Sequence, residues 1–548
     1  AETTDLKILI AGGYGVFGGR LARLLMRDGH DIIIAGRNLK HARRFCDEFG
    51  GTPMRLDMRG DLASLRRARP EIVVDAAGPF QAYGDDPYKL ARQAIAIGAH
   101  YFDLSDDADF AVGIATLDGT AKAANVVALS AASSAPAISA AASRALAHGM
   151  DTIALVDIAI LPGNRAPRGY SVMQAIMGQA GKHLRLWRNG TWQSATNWSS
   201  PRRYELGNGT VRTGYLIRVP DVEILPDALN AQSVLFRAGM ELPVMNHALS
   251  FLAWLQKKGL TVATPWVISL ARRIADLLKP FGTDTGGMVV TVTGLARGRK
   301  VARRWTLTAE AGDGPFIPAT PIRALVQHLP NLPSGARACA DDLSLKMLAE
   351  NISDISVKTE ISEIEDFSVF ERALAAEWST LSAPLQQAHD VPDMLVLSGQ
   401  AQVTRGQGVI PAIAARLFGF PPESPATPVM VTMERRGQDE IWERNFDGNT
   451  FRSTLSPAGT GRFRERFGPF TFELTLRAGD DRITMAVDRG WLGPLPLPRA
   501  LLPGGDGVET CKNGRFTFDV TMRAPLTGAL IVRYHGWLLP EEGRSHTP

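Results

Sequence analysis

Apolar and polar positions form alternating blocks along the first 135 residues, and the blocks switch between two periods. Short continuous apolar runs, such as 6–11 and 71–77, have the length and composition of buried strands. Between them lie stretches with helical spacing of apolar residues. Strands that are buried on both faces and separated by helices are typical of a parallel sheet covered on both sides. The pattern therefore predicts a doubly wound α/β domain over residues 1–135.

The pattern changes twice further along the chain. From residue 152, shorter strand-like runs are separated by turn signals and by helical stretches at 243–279 and 320–329, which predicts an α+β domain over 136–378. Residues 379–393 are polar and contain two prolines, so we expect a linker there. Residues 394–540 read almost entirely as short strands at regular spacing, which predicts a β-rich domain with an antiparallel sheet or a partial barrel.

A glycine cluster follows the first apolar run. Gly13, Gly15 and Gly18 fit G-x-G-x-x-G, and Gly12 gives an overlapping match. Such glycines permit a tight turn from strand to helix and let the backbone approach a pyrophosphate, which the helix N-terminus attracts. The alternative is a glycine-rich turn without a ligand. Because the motif lies between two strands at βαβ spacing, the sequence favours a Rossmann domain that binds a dinucleotide.

The end of the second strand indicates which dinucleotide binds. An NAD site places a carboxylate there to bind the ribose 2′-hydroxyl, whereas a 2′-phosphate favours an arginine. This chain has Gly36, Arg37 and Asn38, with no carboxylate. A guanidinium can pair with the phosphate and stack on adenine. Arg37 could also be an ordinary surface residue, but the sequence favours NADP(H).

Composition excludes several classes of protein. The chain has 548 residues, too many for one core, and its 45% apolar and 21% charged content is typical of soluble globular proteins. A formal charge of +4 does not indicate a nucleic-acid binder. The three cysteines are too widely spaced for a disulfide framework, and no metal-binding motif is present, so we expect no metal. These features and the early first strand favour a cytoplasmic protein without a signal peptide.

Residues 245–279 contain a basic amphipathic segment that could have two different partners. It could lie on a membrane surface, as basic amphipathic helices do. It could equally pack on the substrate domain or on a second subunit, so both peripheral membrane contact through 245–279 and a homodimer are expectations from this segment. No apolar run is long enough to predict a spanning helix.

Several segments resemble the saccharopine dehydrogenase-like oxidoreductases. These segments are the glycine loop, Arg37, 75–80, 83–84, 100–105 and 314–318. The resemblance implies a Rossmann domain for NADP(H) and a mixed domain for substrate binding and often for dimerisation. Residues 394–540 resemble, in four short segments, an uncharacterised bacterial domain found fused behind such oxidoreductases. These four segments are 399–406, 442–446, 494–496 and 534–536.

The motifs and the resemblance together predict a set of cofactor-binding residues. The pyrophosphate would be lined by Gly13, Gly15, Val16 and Phe17, and the 2′-phosphate would pair with Arg37. Gly78, Pro79 and Phe80 would border the nicotinamide ribose, while Asp57 at a strand end would contact adenine. The complete predicted set is Gly12, Gly13, Tyr14, Gly15, Val16, Phe17, Arg37, Asn38, Asp57, Ala77, Gly78, Pro79 and Phe80.

The candidates for proton transfer are His100, Tyr101 and Asp103, at a strand expected to end near the cofactor; they could instead only hold loops. Two departures from the family pattern, at 106–107 and 134–139, indicate that the substrate is not saccharopine. We expect an NADP(H)-dependent oxidoreductase that acts on a C=N, C=C or C=O bond of a small, fairly apolar metabolite. The alternative is a non-catalytic NADP-binding protein whose C-terminal domain carries a lipid or isoprenoid.

Overall fold

The computed structural model describes residues 5–167, 170–260 and 264–541. The chain divides into two compact units. The first unit extends to residue 364 and leaves out 188–191, which belong with the residues from 365 onward in the second. This boundary differs from the one expected from sequence, which placed it at 378.

The N-terminal part of the first unit alternates strands and helices, as the apolar pattern predicts. Its strands are β1 (Lys7–Ala11), β2 (Asp31–Gly36), β3 (Thr52–Arg55), β4 (Ile72–Asp75), β5 (His100–Asp103) and β6 (Val127–Ser130). Its helices are α1 (Gly18–Arg27), α2 (Leu39–Phe49), α3 (Ala63–Ala68), α4 (Lys89–Ala96), α5 (Ala108–Gly113), α6 (Asp118–Ala123) and α7 (Ser139–Ala147).

The remainder of the first unit mixes helices with longer strands. The strands are β7 (Thr152–Leu161), β8 (His183–Arg188), β9 (Thr191–Thr196), β10 (Arg202–Glu205), β11 (Val211–Leu216), β12 (Val234–Ala238), β13 (Gly286–Ala296), β14 (Arg299–Ala309), β15 (Gly335–Ala338) and β16 (Val357–Glu363). The helices are α8 (Tyr170–Gln179), α9 (Pro220–Leu229), α10 (Pro243–Lys257), α11 (Pro265–Leu278), α12 (Thr320–Gln327) and α13 (Leu345–Asn351).

The first sheet has the strand order of a dinucleotide-binding Rossmann fold. Its seven parallel strands are arranged β15-β6-β5-β4-β1-β2-β3, so the order reverses between β1 and β4. Six of them come from the predicted domain at 1–135, and β15 is added from much later in the chain. In such sheets, ligands bind beyond the carboxyl ends of the strands at the point of reversal. This places the cofactor edge beside the ends of β1, β2 and β4.

The second sheet has nine strands and packs with the Rossmann domain around a shared core. Its main path is β10-β11-β12-β7-β13-β14-β16, with β8 and β9 extending from β12. Buried side chains of β1 and α1 belong to the same apolar cluster as those of β7 and β13. One face of this sheet therefore lies close to the cofactor edge of the first.

The second unit is a closed antiparallel barrel. Its strands are β17 (Met394–Arg405), β18 (Ser424–Arg436), β19 (Asp439–Phe446), β20 (Asn449–Pro457), β21 (Arg462–Phe467), β22 (Phe470–Gly479), β23 (Arg482–Leu492), β24 (Leu495–Pro496), β25 (Asp506–Lys512), β26 (Arg515–Arg523) and β27 (Leu530–Pro540). Its helices are α14 (Val369–Leu374), α15 (Ala383–Gln387) and α16 (Val409–Phe418). The β22–β23 pairing closes the ring, and the short β24 lies outside it.

The segment expected to be a linker, 379–393, is instead part of the barrel's core. Leu381, Leu385 and Val391 are buried there, and α15 lies within the segment. The polar residues and prolines that suggested a linker alternate with apolar residues that face the barrel. The exposed polar residues of the segment make the spacing of its buried apolar residues hard to recognise in the sequence.

Candidate functional site

The glycine loop is shaped by close contacts between backbone segments. Gly12 has φ +75°, and a Cβ there would come within 2.7 Å of Ala76 O and of Ala77 Cα. A Cβ on Gly13 would lie 2.9 Å from Ile10 O, and one on Gly18 would collide with Gly12 O. These positions accept only glycine because the turn from β1 to α1 is pressed against the loop that follows β4.

The loop presents unpaired backbone donors at the start of α1. Gly15 N donates to Gly12 O at 2.8 Å, which tightens the turn. The N–H groups of Val16 and Phe17 donate to no acceptor within the described part of the chain. Free N–H groups at a helix N-terminus, together with the positive end of the helix dipole, attract phosphate. The loop therefore fits a dinucleotide pyrophosphate.

Tyr14 connects the glycine loop to the end of β2. Its hydroxyl accepts a hydrogen bond from Asn38 N at 3.2 Å, and its ring lies so close to Gly36 that a Cβ there would be 2.5 Å from it. A side chain at position 36 would collide with the Tyr14 ring, so packing requires glycine there. A glycine also leaves this position without the carboxylate that an NAD site has. The Asn38 side chain caps α2 by accepting from Lys40 N and His41 N.

Arg37 and Asp57 are exposed at the ends of β2 and β3, on the cofactor edge. Asp57 accepts a hydrogen bond from Arg59 N at 3.1 Å in a local turn. Neither residue lines the cavity described below, so both could serve only the adenosine end of a dinucleotide. Their cofactor-binding roles stay predictions.

A cavity of about 710 Å³ extends from the glycine loop towards the second sheet. Eight of the predicted cofactor residues line it, namely Tyr14, Gly15, Val16, Phe17, Ala77, Gly78, Pro79 and Phe80. The opposite wall is apolar and includes Ile160, Phe236, Ala238, Met288, Leu307 and Ala309. Pockets for small molecules span about 300–1,000 Å³. The space thus suits a nicotinamide together with a small apolar molecule.

Two buried carboxylates lie side by side where β4 and β5 end. Asp75 pairs in register with Asp103. Asp75 accepts hydrogen bonds from Ala77 N at 3.1 Å and from the Tyr83 hydroxyl at 2.9 Å. Burial raises the pKa of Asp75 to about 7, and the neighbouring Asp103 contributes to the rise. Burial is also the main reason why the pKa of Tyr83 is raised. Tyr83 therefore keeps its proton and donates it in the hydrogen bond to Asp75, which holds the loop after β4.

Asp103 joins the ends of β5 and β6. It accepts hydrogen bonds from Ser105 N, Ser130 Oγ and Ala131 N at 2.7 to 3.0 Å. Burial raises its pKa to about 6, although these donors favour the charged form. Its side chain is fully buried and does not line the cavity. This geometry is that of a loop anchor.

The structure does not bring the other two proton-transfer candidates to the cofactor edge. His100 is the first residue of β5 and so lies at its amino end, where Nδ1 accepts a hydrogen bond from Val127 N at 3.0 Å. Tyr101 is buried in the apolar cluster on one face of the first sheet. The strand lies where it was expected, but of the three candidates only Asp103 lies at its carboxyl end, on the cofactor edge.

Asp106 was missed by the sequence analysis and does face the cavity. It lines the wall beside Ser105, and its Oδ1 accepts a hydrogen bond from Gln81 Nε2 at 3.3 Å. The Asp106 side chain is exposed at the cavity wall, and desolvation by the protein around it raises its pKa. The sequence signal was the Asp106-Asp107 pair itself, since Asp107 caps α5 through Phe110 N and leaves Asp106 free to point elsewhere.

The positive charge of the guanidinium at the cavity wall is already compensated by carboxylates of the protein. Arg218 makes a two-pronged ion pair with Asp109, both contacts 2.7 Å long, and a further contact of 2.9 Å with Glu223. These carboxylates raise the Arg218 pKa. The guanidinium therefore offers little attraction to an anionic substrate. In the described residues, no group of three histidine, cysteine or acidic side chains could hold a metal ion.

Helices α10 and α11 occupy most of the predicted amphipathic segment at 245–279, of which 261–263 lie outside the described residues. Trp254 and Trp266 are exposed on them, as is Leu277. This surface is apolar, with lysines and arginines interspersed. None of the helices described is long and apolar enough to cross a membrane.

The first unit combines a Rossmann sheet with a second sheet, and residues that follow strands of both sheets line the cavity. Residues 381–538 match the model of a family described as a domain of unknown function, DUF4166. This range lies within the barrel unit. A search of curated proteins found no match.

The solved structures that this chain matches include dehydrogenases. Apo histidine-tagged saccharopine dehydrogenase (L-Glu forming) from Saccharomyces cerevisiae is 13% identical, with a TM-score of 0.47, over 65% of this chain and 100% of that one. A probable dehydrogenase from Thermotoga maritima is 9% identical, with a TM-score of 0.34, over 65% and 98%. GenD2 from gentamicin A biosynthesis, in complex with NAD, is 14% identical, with a TM-score of 0.27, over 55% and 73%.

Proposed function

We propose that this protein is an NADP(H)-dependent oxidoreductase that transfers hydride to or from a C=N, C=C or C=O bond of a small, fairly apolar metabolite. One observation carries the proposal: the glycine loop with its unpaired N–H groups forms one wall of a cavity of about 710 Å³ whose opposite wall is apolar. A site for a nucleotide alone does not need this additional apolar space beside it.

The residues around the loop fit the cofactor. Val16 and Phe17 would bind the pyrophosphate through their N–H groups, and Arg37 would pair with the 2′-phosphate. The 78–80 segment, held by the Asp75–Tyr83 hydrogen bond, would border the nicotinamide ribose. When bound, NADP(H) supplies or accepts the hydride, and the protein contributes orientation and a proton.

The walls of the cavity indicate the substrate class. The second sheet contributes aliphatic and aromatic side chains, and the neutralised Arg218 gives no free positive charge. Burying an unpaired carboxylate of a substrate here would be costly. We therefore infer an uncharged or weakly polar substrate.

Asp106 is the best-placed group for proton transfer. It lines the cavity, and its raised pKa lets it hold a proton closer to neutral pH than an aspartate in bulk water does. It would donate a proton to the heteroatom or carbon beside the reduced centre, and accept one in the opposite direction.

The test of the cofactor is a comparison of NADPH and NADH binding by calorimetry. We expect the protein to prefer NADPH, and Arg37→Ser to weaken NADPH binding at least tenfold while NADH binding changes little. Arg43→Ser, at an exposed position of α2, is the matched control and should leave both affinities unchanged. Failure to bind either nucleotide would refute the proposal, and equal loss of both in Arg37→Ser would refute the assignment to NADP.

The non-catalytic alternative has the same cofactor site and differs in turnover. NADPH oxidation with a panel of apolar ketones, enones and imines separates the two. Oxidation of NADPH by any of them supports the oxidoreductase, and binding of NADPH without oxidation across the panel supports the alternative.

A further inference from the structure

The barrel encloses a second cavity, separate from the cofactor site and of different character. Its volume is about 170 Å³, and nine phenylalanines, Trp442 and Tyr534 contribute to its walls. Inward-facing side chains alternate with outward-facing ones along each strand, as on β18, where Val429 and Val431 line the cavity and Met430 is exposed. A ten-stranded barrel is wider than its side chains fill. The cavity follows from that geometry.

The two ends of the barrel are built differently. At one end, Phe370 and His389 from the segment before β17 pack inside, with their rings stacked 3.9 Å apart. At the other end, α16 connects β17 to β18, and its Phe418 forms part of the cavity wall. The first end is filled by core side chains, whereas at the second Phe418 of α16 contacts Phe467 and Phe470.

The end with α16 has features of an opening. Gly504, Gly505 and Gly507 line the cavity there, so this stretch of its rim has no side chains to fill the space. Strand order places the turns and helices of this end together, and they carry most of the exposed large apolar side chains of the unit: Val409, Ile413, Leu417, Leu492, Leu495, Leu501 and Leu526. An apolar rim lets an apolar molecule leave water before it enters.

Charge inside the barrel is balanced. Arg444 donates to Glu465 at 3.0 Å and to Ser453 Oγ at 2.8 Å, and Ser453 Oγ donates to the same carboxylate at 2.7 Å. The other buried carboxylate of the wall, Glu509, lies 2.7 Å from His389 Nε2. Asp506 lies exposed at the rim. Among the described residues of the wall, no cation is left over to bind an anionic head group.

We propose that the barrel cavity binds a small, uncharged, apolar molecule, which enters at the end covered by α16. The size sets an upper limit, because an engineered apolar cavity of about 150 Å³ holds benzene. An occupant of about one ring or a short branched chain therefore fits the closed cavity. The paired Arg444 disfavours carboxylates, because an anion would have to compete with Glu465 for the guanidinium inside an apolar cavity. One hydroxyl group is tolerated, since His389 Nδ1 has no hydrogen-bond partner among the described residues.

Three probes of one ring each test this proposal: toluene, benzyl alcohol and benzoate. Calorimetry uses the full chain saturated with NADPH. We expect toluene and benzyl alcohol to bind, and benzoate to bind at least tenfold more weakly than benzyl alcohol. Absence of toluene and benzyl alcohol binding, or equal binding of benzoate, would overturn the proposal.

A pair of variants on β18 locates the binding. Val431→Phe fills the cavity and should weaken toluene binding at least tenfold, whereas Met430→Phe on the outer face should change it less than twofold. If Val431→Phe fails to fold, Val431→Leu should give a smaller loss in the same direction. In the unmodified protein, benzyl alcohol should also slow hydrogen exchange in peptides of β18 and β21. Toluene binding that survives the filling variants would place the probe elsewhere and refute the proposal.

A gain of function tests the charge argument. Glu465→Gln keeps the side chain's shape but leaves the Arg444 charge uncompensated, so benzoate should bind at least tenfold more tightly than to the unmodified protein. Glu443→Gln removes a carboxylate that pairs with Arg452 on the outer face of the barrel, and benzoate binding should not change. If Glu465→Gln gains no benzoate binding, charge balance does not set the ligand class. NADPH binding is independent of all these outcomes.

Discussion

Replacing Asp75 by asparagine should remove a pH dependence from the stability of the Rossmann domain. Asp75 is fully buried, and its pKa rises from 3.8 to about 7, mainly because burial disfavours the charged carboxylate. Because the folded pKa lies above the unfolded one, the stabilisation is complete below about pH 4 and is lost as the pH rises through about 7. At about 1.4 kcal/mol per pH unit, the total loss is about 4 kcal/mol. More than half of this loss falls between pH 5 and pH 8.

The asparagine in the variant Asp75→Asn would keep an oxygen that accepts from Ala77 N and Tyr83 but would have no proton to lose. Hydrogen exchange of the slowest amides in β1 and β4 measures the effect in the full chain. Comparing the variant with the unmodified protein at the same pH cancels the intrinsic rates. The ratio of their exchange rates should shift about 70-fold between pH 5 and pH 8, in favour of the variant at pH 8.

Asp57→Asn is the control, since Asp57 lies on the same edge but is exposed. Its exchange-rate ratio should be the same at both pH values. A ratio for Asp75→Asn that also stays constant would show that Asp75 is charged in the folded protein at pH 5, and the burial argument would be wrong.

Two further variants test the loop and the proton donor. Gly18→Ala should cost about 1–3 kcal/mol of stability and weaken NADPH binding, because its Cβ would press on Gly12 O; Gly119→Ala, with open space around it, should do neither. Asp106→Asn should lower kcat at least a hundredfold on any substrate that oxidises NADPH, while His100→Asn should leave kcat within twofold. Equal losses in the two members of either pair would contradict the site as described.

The periodicity of apolar residues predicted most of the strands and helices of the first sheet. The six strands of residues 6–130 lie within a few residues of the apolar runs that predicted them, because buried parallel strands have continuous apolar runs. The helices α5 and α6 were not predicted. The glycine loop could also be predicted from the sequence, because a turn with no room for Cβ atoms requires glycine at those positions. The second unit was expected to be β-rich, and it is.

Long-range pairing was not legible from the sequence. The closure of the barrel depends on β22 meeting β23 as well as β21, and nothing in the local pattern distinguishes a closed ring from an open sheet. The same limit explains the candidates for proton transfer. A strand's residues are visible in its pattern, but which end of it faces a ligand depends on the sheet, and this left Asp106 unnoticed and His100 misplaced. The linker expected at 379–393 was wrong because the exposed face of that segment conceals its buried one.

The strand β15 has a consequence for how the chain is made. It pairs with β6 in the register Gly335 to Val127, about 200 residues apart. At a synthesis rate of about 5–20 residues per second, β6 emerges about 10–40 s before its partner exists. During this time the first sheet has an unpaired edge strand, which is the kind of surface on which nascent chains associate wrongly. The first sheet is therefore completed only after strands β7 to β14 of the second sheet have been synthesised, and a fragment that ends near residue 135 retains that open edge permanently.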